Sequence, residues 1–467
     1  MFYAFYAVIF VLIASMLTIY VGPGANGSGV AEIMGLLNGI NDPGAIGFRT
    51  LFVKCLGTVL AVSGGLCIGK EGPLAHIGAC IGAIVCQIPI RGFACLRDDV
   101  HKRQLIAAGA SAGVSAAFGA PIGGALFSYE ISKPNTFWTF SMLWRVFAAS
   151  AISTFMLSVC AALYEGSTVS LTDSAALKFG TLDDGAFNTF LDLPAAIIIG
   201  IICGLLGALF IYVNVNLAVL RKKYITKNWQ KLLEAALFAF ATASVFFGAV
   251  ALQRNQCETV PDNVGEETAL VQFTCNQDEY NPLATLIFNT EGGTIRTLLR
   301  FPTDLKNTET GKSSIPSGTI ILYFLVWYSF TIITYGVWVP AGLFLPGILI
   351  GCSVGIMYMD VLVYGFEVNI ERIGGQSYII VGASAMLAAY CRLTYSLAVI
   401  MLETTQSINN FLPTLVGIGV SLSVARSLNR SLYEYAIRAK QMPLLRNHVP
   451  KANRHIRVKD ILERNPQ

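Results

Sequence analysis

Charged residues are scarce in this sequence. Only 13% of the 467 residues are Asp, Glu, Lys or Arg, whereas 54% are hydrophobic; a soluble domain carries roughly 25% charged residues. Several charge-free stretches reach the roughly 20 residues that a helix needs to cross a bilayer. They are 2–21, 193–220, 235–253 and 313–359, of which the last is long enough for two crossings. The scarcity excludes a soluble protein and predicts an all-α, multi-pass membrane protein.

Metal-binding patterns are missing as well. The four histidines have no evident partner in the sequence, and the eleven cysteines show no zinc spacing. Nine of these cysteines lie in or near apolar segments, where they act as small hydrophobes. The N-terminal apolar run lacks the basic start of a signal peptide and predicts a true span. We expect no metal, no resident cofactor and no nucleic-acid partner.

Charge distribution predicts the orientation of the chain. Basic residues cluster in 91–103, in 221–231 and after Arg438, which predicts that these segments are cytosolic. The mixed loop 254–312 then lies on the opposite side, where disulfides can persist. It contains Cys257 and Cys275, which are a candidate disulfide pair. Pairing and two free thiols both remain open, because sequence does not fix the geometry.

The sequence contains an internal repeat at an offset of 273 residues. Placing GKEGPLAHIGACIG (69–82) over GLFLPGILIGCSVG (342–355) aligns three glycines and a proline, and the same offset aligns GASAGVSAAFG (109–119) with GASAMLAAYCR (382–392). Glycine-rich helix packing that looks alike everywhere is the alternative explanation. A duplicated membrane unit instead predicts a transporter-like bundle, in which broken helices meet near the midplane.

Each half contains a Gly-x-x-x-Pro motif that suits a helix start. Glycine permits unusual backbone angles, and proline is tolerated in the first helical turn. A third glycine-rich loop, GPGANGSGVAE (22–32), is predicted to feed another helix. The free N–H groups and positive dipole ends of such starts attract an anion. The residues of these helix-start motifs are Gly27, Gly29, Gly69, Lys70, Gly72, Pro73, Gly342 and Pro346.

Lys70 and Glu71 are charges within an otherwise apolar run, and such charges mark functional sites by default. Glu71 lies among N–H groups that suit an anion, so its carboxylate can occupy the anion site itself. It can leave that site when it is protonated or displaced. This predicts that Glu71 is a gate; a glutamate that only caps its helix is the alternative.

Together these motifs resemble those of the CLC family of chloride channels and chloride/proton exchangers. GSGVAE (27–32) resembles the family's GSGIPE, GKEGP (69–73) matches one form of its second motif, and GLFLP (342–346) resembles its GxFxP. SLYEYAI (431–437) resembles the helix that carries the family's central tyrosine. Ala31 stands where the family has proline, a change that we expect to alter local stiffness more than chemistry.

The resemblance implies roles for individual residues. It implies that chloride, and other small anions, are bound by the Ser28 and Tyr433 hydroxyls and by the N–H groups of Leu343 and Phe344. Tyr435 is the nearest rival to Tyr433, and an interfacial tyrosine is the alternative for either. In the family the gating glutamate faces the exoplasmic side, and members that prefer nitrate tend to have proline at the serine position.

The family fold is an all-α bundle of tilted and broken helices with an internal inverted repeat, and it forms homodimers in the lipid bilayer. Here it implies a transmembrane domain over 1–440, with repeats at about 22–165 and 232–440. The segment 441–467 resembles the cytosolic lead into CBS regulatory domains, which are missing. The sequence therefore resembles a piece of a CLC protein that is truncated at both ends. Nucleotide binding is expected only if the CBS domains are present. The segment 273–290 resembles the endosomal, lysosomal and plant branch, which favours an intracellular organelle membrane over the plasma membrane.

Proton coupling is the point where the sequence departs from the exchangers of this family. Exchangers carry two adjacent glutamates after the first repeat's apolar run, and the second relays protons. Here the pair is Glu130 and Ile131, and isoleucine carries no proton. Glu130, which aligns with Glu403, points about 100° away and is expected to be structural. The sequence favours voltage- and pH-gated passive chloride conduction; the alternative is a chloride/proton antiporter with another proton route.

An intramembrane hydrolase is the remote alternative. GASAG (109–113) fits the G-x-S-x-G pattern of hydrolase nucleophiles, with Ser111 at its centre. That motif needs a preceding strand, whereas an apolar helix of small residues is predicted here. Since the same GAS recurs at Gly382, small-residue helix packing explains it better. We therefore expect that the chain is not an enzyme.

Overall fold

The computed structural model describes residues 2–42, 44–88, 98–132, 138–166, 192–260, 270–307, 315–368 and 375–442. The sequence predicts that 441–467 is a cytosolic segment leading into CBS domains, and all of it after residue 442 lies outside the described residues. Within the described ranges the regular structure is almost entirely helical, and the one sheet has two short antiparallel strands.

The helices are α1 (Phe2–Met16), α2 (Val30–Leu37), α3 (Phe48–Ser63), α4 (Glu71–Gln87), α5 (Asp99–Phe118), α6 (Pro121–Ile131), α7 (Phe140–Glu165), α8 (Asp192–Tyr224), α9 (Asn228–Leu252), α10 (Pro282–Phe288), α11 (Glu291–Asn307), α12 (Ser317–Thr334), α13 (Phe344–Asp360), α14 (Gly375–Cys391), α15 (Tyr395–Thr405), α16 (Phe411–Leu428) and α17 (Leu432–Ala439). The strands are β1 (Glu258–Thr259) and β2 (Glu279–Tyr280). Short π-helical turns at Leu17–Val21 and Val361–Gly365 extend α1 and α13.

Seven helical stretches in the described residues are long and apolar enough to cross a membrane. The charge-free run 193–220 lies in α8, and the run 235–253 ends one residue after α9. The run 313–359 covers α12 and all but the last residue of α13. The chain is a multi-pass integral membrane protein with an all-α fold, as the hydropathy pattern predicts. The stretches are Phe2–Val21, Phe140–Tyr164, Asp192–Tyr224, Asn228–Leu252, Ser317–Thr334, Phe344–Gly365 and Phe411–Leu428.

The helix bounds repeat at the offset seen in the sequence. Shifting α4 by 273 residues gives the bounds of α13, and α5 and α14 end at equivalent residues, Phe118 and Cys391. The shift also places α6 over α15 to within one residue at each end. The structural repeat therefore follows the sequence repeat helix by helix.

Glycines at equivalent positions bring equivalent helices into contact. A Cβ on Gly78 of α4 would collide with the Gly109 carbonyl of α5, and a Cβ on Gly351 of α13 would collide with the Gly382 carbonyl of α14. Small residues allow this close backbone approach between membrane helices. The helices α13 and α14 lie in the centre of the bundle, where almost all of their side chains are buried.

The predicted non-cytosolic loop carries the small sheet. Residues Glu258 and Thr259 of β1 pair with Tyr280 and Glu279 of β2. Cys257, which precedes β1, forms a disulfide with Cys275, and their Cα atoms are 5.8 Å apart. The strand pairing and the disulfide thus both join the two ends of the segment between Cys257 and Tyr280.

Candidate functional site: three helix starts at one point

Backbone hydrogen bonds join the loops that precede α2, α4 and α13. The Gly27 N–H donates to the Val339 carbonyl over 3.1 Å, and the Ala341 N–H donates to the Gly27 carbonyl over 3.0 Å. Gly69 and Gly342 exchange two hydrogen bonds, of 2.8 and 2.9 Å. The structure thus brings the three predicted helix starts together in the interior of the bundle.

Helix-start geometry leaves backbone donors available at this point. Within the described residues, none of the three residues that precede these helices, Gly29, Lys70 and Leu343, provides a side-chain cap. Because the first N–H groups of a helix have no intrahelical acceptor, they are free to bind a ligand. The dipoles of the helices add positive potential at their amino ends, so the arrangement suits an anion.

Ser28 lies between the first loop and the second helix start. Its side chain is buried, and its Cβ would be 3.1 Å from a Cβ built on Gly72. Gly27 and Gly29, which flank it, have φ of 69° and 84°, in the left-handed region that favours glycine. The two flanking glycines therefore allow the sharp turn that carries the Ser28 hydroxyl into the interior.

Glu71 is the first residue of α4 and is only 1% exposed. Neither of its carboxylate oxygens has a hydrogen-bond partner of ordinary geometry among the described residues. The backbone N–H groups of Lys70, Glu71 and Leu345 nevertheless face it, and a Cβ on Gly69 would lie 2.5 Å from Oε2. The carboxylate occupies a cradle of amide groups at the meeting point of α4 and α13.

Tyr433 is 3% exposed, so it is not an interfacial tyrosine; its rival Tyr435 is half-buried. The Tyr433 hydroxyl lies 3.5 Å from the Cys391 sulfur at the end of α14. It also interacts electrostatically with Tyr335, whose hydroxyl in turn pairs with that of Ser28. Ser28 and Tyr433, which are 405 positions apart in the chain, therefore line one site.

Tyr335 is a residue of this site that the sequence motifs do not predict. It follows the last turn of α12, and its backbone carbonyl accepts hydrogen bonds from Asn214 (2.8 Å) and from Arg221 (2.9 Å) of α8. The Arg221 guanidinium also donates to Glu234 of α9 over 2.5 Å. Two helices thus fix the backbone that presents Tyr335. Its position directly before Gly336 is the only local feature that could have drawn attention to Tyr335, and nothing in the sequence pairs it with Ser28.

Two buried charges hold the loop and the last helix. Lys54 of α3 is fully buried and donates to the carbonyls of Ala25 (2.9 Å) and Gly27 (2.7 Å), which anchors the loop before Ser28. Glu32 of α2 is also buried and forms an ion pair with Lys440, which directly follows α17. Neither charge was predicted, because the partners are far apart in sequence.

His76 has a partner that the sequence did not reveal. Its Nε2 lies 3.0 Å from the Ala45 carbonyl, and the ring packs so closely on Gly29 that a Cβ there would collide with it. This is a contact with a backbone carbonyl and not a catalytic or metal-binding partner. The His76 imidazole helps to hold the loop that carries Ser28.

Glu130 and Ile131 stand where the exchangers of the family carry two adjacent glutamates, and both side chains are engaged in the packing of the bundle. Ile131 is 2% exposed and belongs to the apolar core. The Glu130 carboxylate accepts hydrogen bonds from the N–H and hydroxyl groups of Thr394 and Ser396, over 2.5 to 3.3 Å. These groups begin α15, so Glu130 caps a helix of the other repeat.

The rival nucleophile lies in a helix. Ser111 is within α5 and fully buried, and its hydroxyl is 2.5 Å from that of Ser150 in α7. This is helix-to-helix packing, and the strand-turn-helix that a G-x-S-x-G nucleophile needs is not formed there. Among the described residues, no three His, Cys, Asp or Glu side chains are grouped so that they could hold a metal.

Comparison with known families agrees with this geometry. Residues 10–426 match the model of the family described as voltage gated chloride channel. The chain belongs to the CLC family. The family resemblance and the fold expected from it are confirmed, and the prediction that the chain is not an enzyme agrees with a family of channels and transporters.

Several characterised CLC proteins are similar to this chain. The human "H(+)/Cl(-) exchange transporter 7" is 34% identical, with 97% of this chain and 55% of the relative covered. "Chloride channel protein C" of Dictyostelium discoideum is 32% identical, over 98% of this chain and 60% of the relative. "Chloride channel protein CLC-d" of Arabidopsis thaliana is 34% identical, over 91% of this chain and 54% of the relative. The chain thus spans little more than half the length of these relatives.

Two solved structures share the fold. A eukaryotic CLC transporter superposes with a TM-score of 0.67 at 26% identity, and it covers 96% of this chain and 68% of the other. A slow cyanobacterial Cl⁻/H⁺ antiporter gives a TM-score of 0.71 at 20% identity, with 94% and 87% covered. The second similarity concerns the fold alone.

Proposed function

We propose that this protein conducts chloride and other small anions across a membrane through the point where α2, α4 and α13 begin. The observation that carries the proposal is the convergence of the starts of α2, α4 and α13, none of which is capped by the side chain of the residue that precedes it, on buried Ser28, Tyr433 and Glu71. Ser28, Tyr433 and the N–H groups of Leu343 and Phe344 bind the anion. The donors replace the water that chloride loses in the membrane.

Glu71 is the gate in this proposal. Its carboxylate fills the amide cradle in the closed state and competes with chloride for the same donors. Protonation from the exoplasmic side removes its charge and opens the pathway, and membrane voltage acts on the same competition. The test is anion flux from the reconstituted protein: wild type is pH-dependent, whereas Glu71→Gln and Glu71→Ala conduct at all pH values. A Glu71→Ala protein that keeps its pH dependence would disprove the gate.

Passive conduction is the proposed mode. Ile131 fills the relay position with an aliphatic side chain, and Glu130 is engaged by four hydrogen bonds. A proton crossing this region needs titratable groups or ordered water. The reversal potential, measured under a pH gradient at fixed chloride, tests the mode. A channel stays at the chloride equilibrium potential as pH changes.

Chloride/proton exchange is the second candidate. It is favoured by the 34% identity to a relative named as an H⁺/Cl⁻ exchange transporter. A reversal potential that shifts with pH would establish it and would imply a proton route other than Ile131. In either mode we propose a homodimer with one anion pathway in each chain, in an intracellular organelle membrane. We also propose that 441–467 leads into CBS domains, and that a nucleotide, if one is bound, is bound by those domains.

A further inference from the structure

Arg392 is an arginine in a backbone conformation that suits glycine. It follows α14 with a φ of 61°, and its N–H donates to the Ala388 carbonyl over 3.0 Å. Its equivalent in the first repeat is Gly119, which follows α5 with a φ of 67° and donates to the Ser115 carbonyl over 2.7 Å. The two turns are alike, but glycine adopts the left-handed conformation freely, whereas arginine does so under strain. Strain that persists in a fold points to a role for the side chain.

The Arg392 side chain holds the end of α16 and the turn that leads to α17. Its Nη2 donates to the Ala425 carbonyl, in the last turn of α16, over 2.8 Å. The same nitrogen donates to Asn429, both to the backbone carbonyl over 3.2 Å and to Oδ1 over 2.7 Å. Asn429 in turn donates from Nδ2 to the Ala208 carbonyl of α8 over 2.7 Å. The guanidinium therefore joins the end of α14 to the residue at which α16 ends.

Tyr433 lies four residues after Asn429, and the end of α14 also contacts it directly. The sulfur of Cys391, the residue before Arg392, is 3.5 Å from the Tyr433 hydroxyl. Ser431 accepts a hydrogen bond of 3.1 Å from an N–H group in the first turn of α17, the turn that contains Tyr433. This first turn therefore begins two residues beyond the backbone that Arg392 holds. The end of α14 thus contacts both the hydroxyl of Tyr433 and the backbone that leads to it.

Stability alone does not explain an arginine at this position. Besides the strained φ, its Nε and Nη1 are buried and have no hydrogen-bond partner among the described residues. Buried donors without a partner destabilise a fold. Gly119, at the equivalent turn of the first repeat, avoids both costs. The hydrogen bonds that the Arg392 side chain makes all go to the end of α16 and the turn before Tyr433.

We propose that Arg392 is a positioning residue of the anion site, which fixes the turn between α16 and α17 so that the Tyr433 hydroxyl faces the anion. This rests on the proposed role of Tyr433 in anion binding. A hydroxyl stabilises an anion only while it is held at hydrogen-bonding distance. Without the guanidinium the turn loses its anchor, and the hydroxyl no longer keeps that distance. Chloride then binds more weakly, although the helices remain folded.

The test measures chloride binding to the purified full chain by isothermal titration calorimetry, well below the melting temperature. Arg392→Ala should raise the Kd for chloride about tenfold, which is the scale of one lost hydrogen bond to a charged group. Arg392→Gly removes the same guanidinium but relieves the strained φ. It should therefore melt at a higher temperature than Arg392→Ala while it weakens chloride binding as much, and it keeps the test available if Arg392→Ala does not fold.

The matched control is Arg426→Gln. It removes an exposed guanidinium from the last turn of α16, the helix end that Arg392 holds. The Kd for chloride should stay as in wild type. A rise equal to that of Arg392→Ala would show that any loss of positive charge at this helix end weakens binding, and the positioning role would be overturned.

Tyr433→Phe separates this inference from the proposed function. In that background, which lacks the hydroxyl, Arg392→Ala should not weaken chloride binding further, because Arg392 acts through the hydroxyl. An equal loss with and without the hydroxyl overturns the inference. So does a wild-type Kd in Arg392→Gly beside a raised Kd in Tyr433→Phe, and the role of Tyr433 then stands. A wild-type Kd in Tyr433→Phe overturns the role of Tyr433 in the proposed function, and the inference with it.

Discussion

Gly69 and Gly342 donate a backbone hydrogen bond to each other, and 273 residues separate them, which is the offset of the repeat. Reciprocal contact between equivalent residues is the mark of a two-fold axis. The axis therefore passes close to this pair, beside the buried carboxylate of Glu71. The two repeats meet at the point where the proposed anion site lies.

The pairing predicts a steric limit at Gly342. A Cβ there would lie 2.7 Å from the Gly69 carbonyl oxygen and 3.0 Å from Pro73 Cδ. Because the obstacle at Gly69 is backbone, Gly342→Ala should lower the free energy of unfolding by about 2 kcal/mol and reduce anion flux. The control is Gly419→Ala in α16, where a Cβ meets nothing within 4 Å. Thermal unfolding in detergent compares the stability of the two variants, and anion flux is measured after reconstitution. Equal melting temperatures for Gly342→Ala and Gly419→Ala would contradict the steric limit at Gly342.

Glu130 is predicted to stabilise the protein and not to carry protons. Glu130→Ala removes a charged acceptor from two N–H groups and two hydroxyls at the start of α15, which should cost about 2–4 kcal/mol. The reversal potential under a pH gradient should stay as in wild type. Asp99→Ala, which removes an exposed acid from α5, is the control for stability. A stable Glu130→Ala protein with an altered reversal potential would refute this.

Ser28 is predicted to determine anion preference. It offers a small hydroxyl donor, and we expect wild type to conduct chloride at least as well as nitrate. Ser28→Pro removes the donor and should shift the preference towards nitrate. The flux ratio of the two anions measures this. The control is Ser423→Ala, since that exposed hydroxyl donates to the Gly419 carbonyl of its own helix. An unchanged ratio would show that Ser28 does not contact the anion.

The ion pair of Glu32 and Lys440 is predicted to couple the first and last helices of the site. Glu32 is buried and Lys440 half-exposed, so loss of either partner leaves a charge without its counterion. Glu32→Gln and Lys440→Gln should each destabilise the protein by about 2 kcal/mol, and the double variant by less than the sum. Thermal unfolding of the four proteins measures the coupling. Additive costs would mean that the pair is not coupled.

Much of the site could be predicted because its parts are local. The starts of α4 and α13 follow from Gly-x-x-x-Pro, and the loop before α2 follows from glycines around Ser28. The choice of Tyr433 as an anion-binding residue followed from the family resemblance, because the pattern alone favours an interfacial tyrosine. These signals lie within a few residues of the group they predict.

The remainder depends on contacts between distant parts of the chain. Tyr335 reaches Ser28 only because α8 and α9 hold the end of α12. Lys54 lies in α3, and the sequence does not show that its ammonium donates to the carbonyls of Ala25 and Gly27. Periodicity identifies the helices, but it does not specify which buried polar groups from different helices become partners.

Capping between the repeats is mutual. Glu130 caps α15, and Glu403, its equivalent at the end of α15, accepts hydrogen bonds from the Ile122 and Gly123 N–H groups at the start of α6. A half-length chain with a single repeat would leave one such helix start uncapped. Two copies of that half-chain would satisfy each other across the axis, with no new contact required. Each repeat therefore depends on the other for a helix cap, although the two differ at the equivalent first residues of α4 and α13, Glu71 and Phe344.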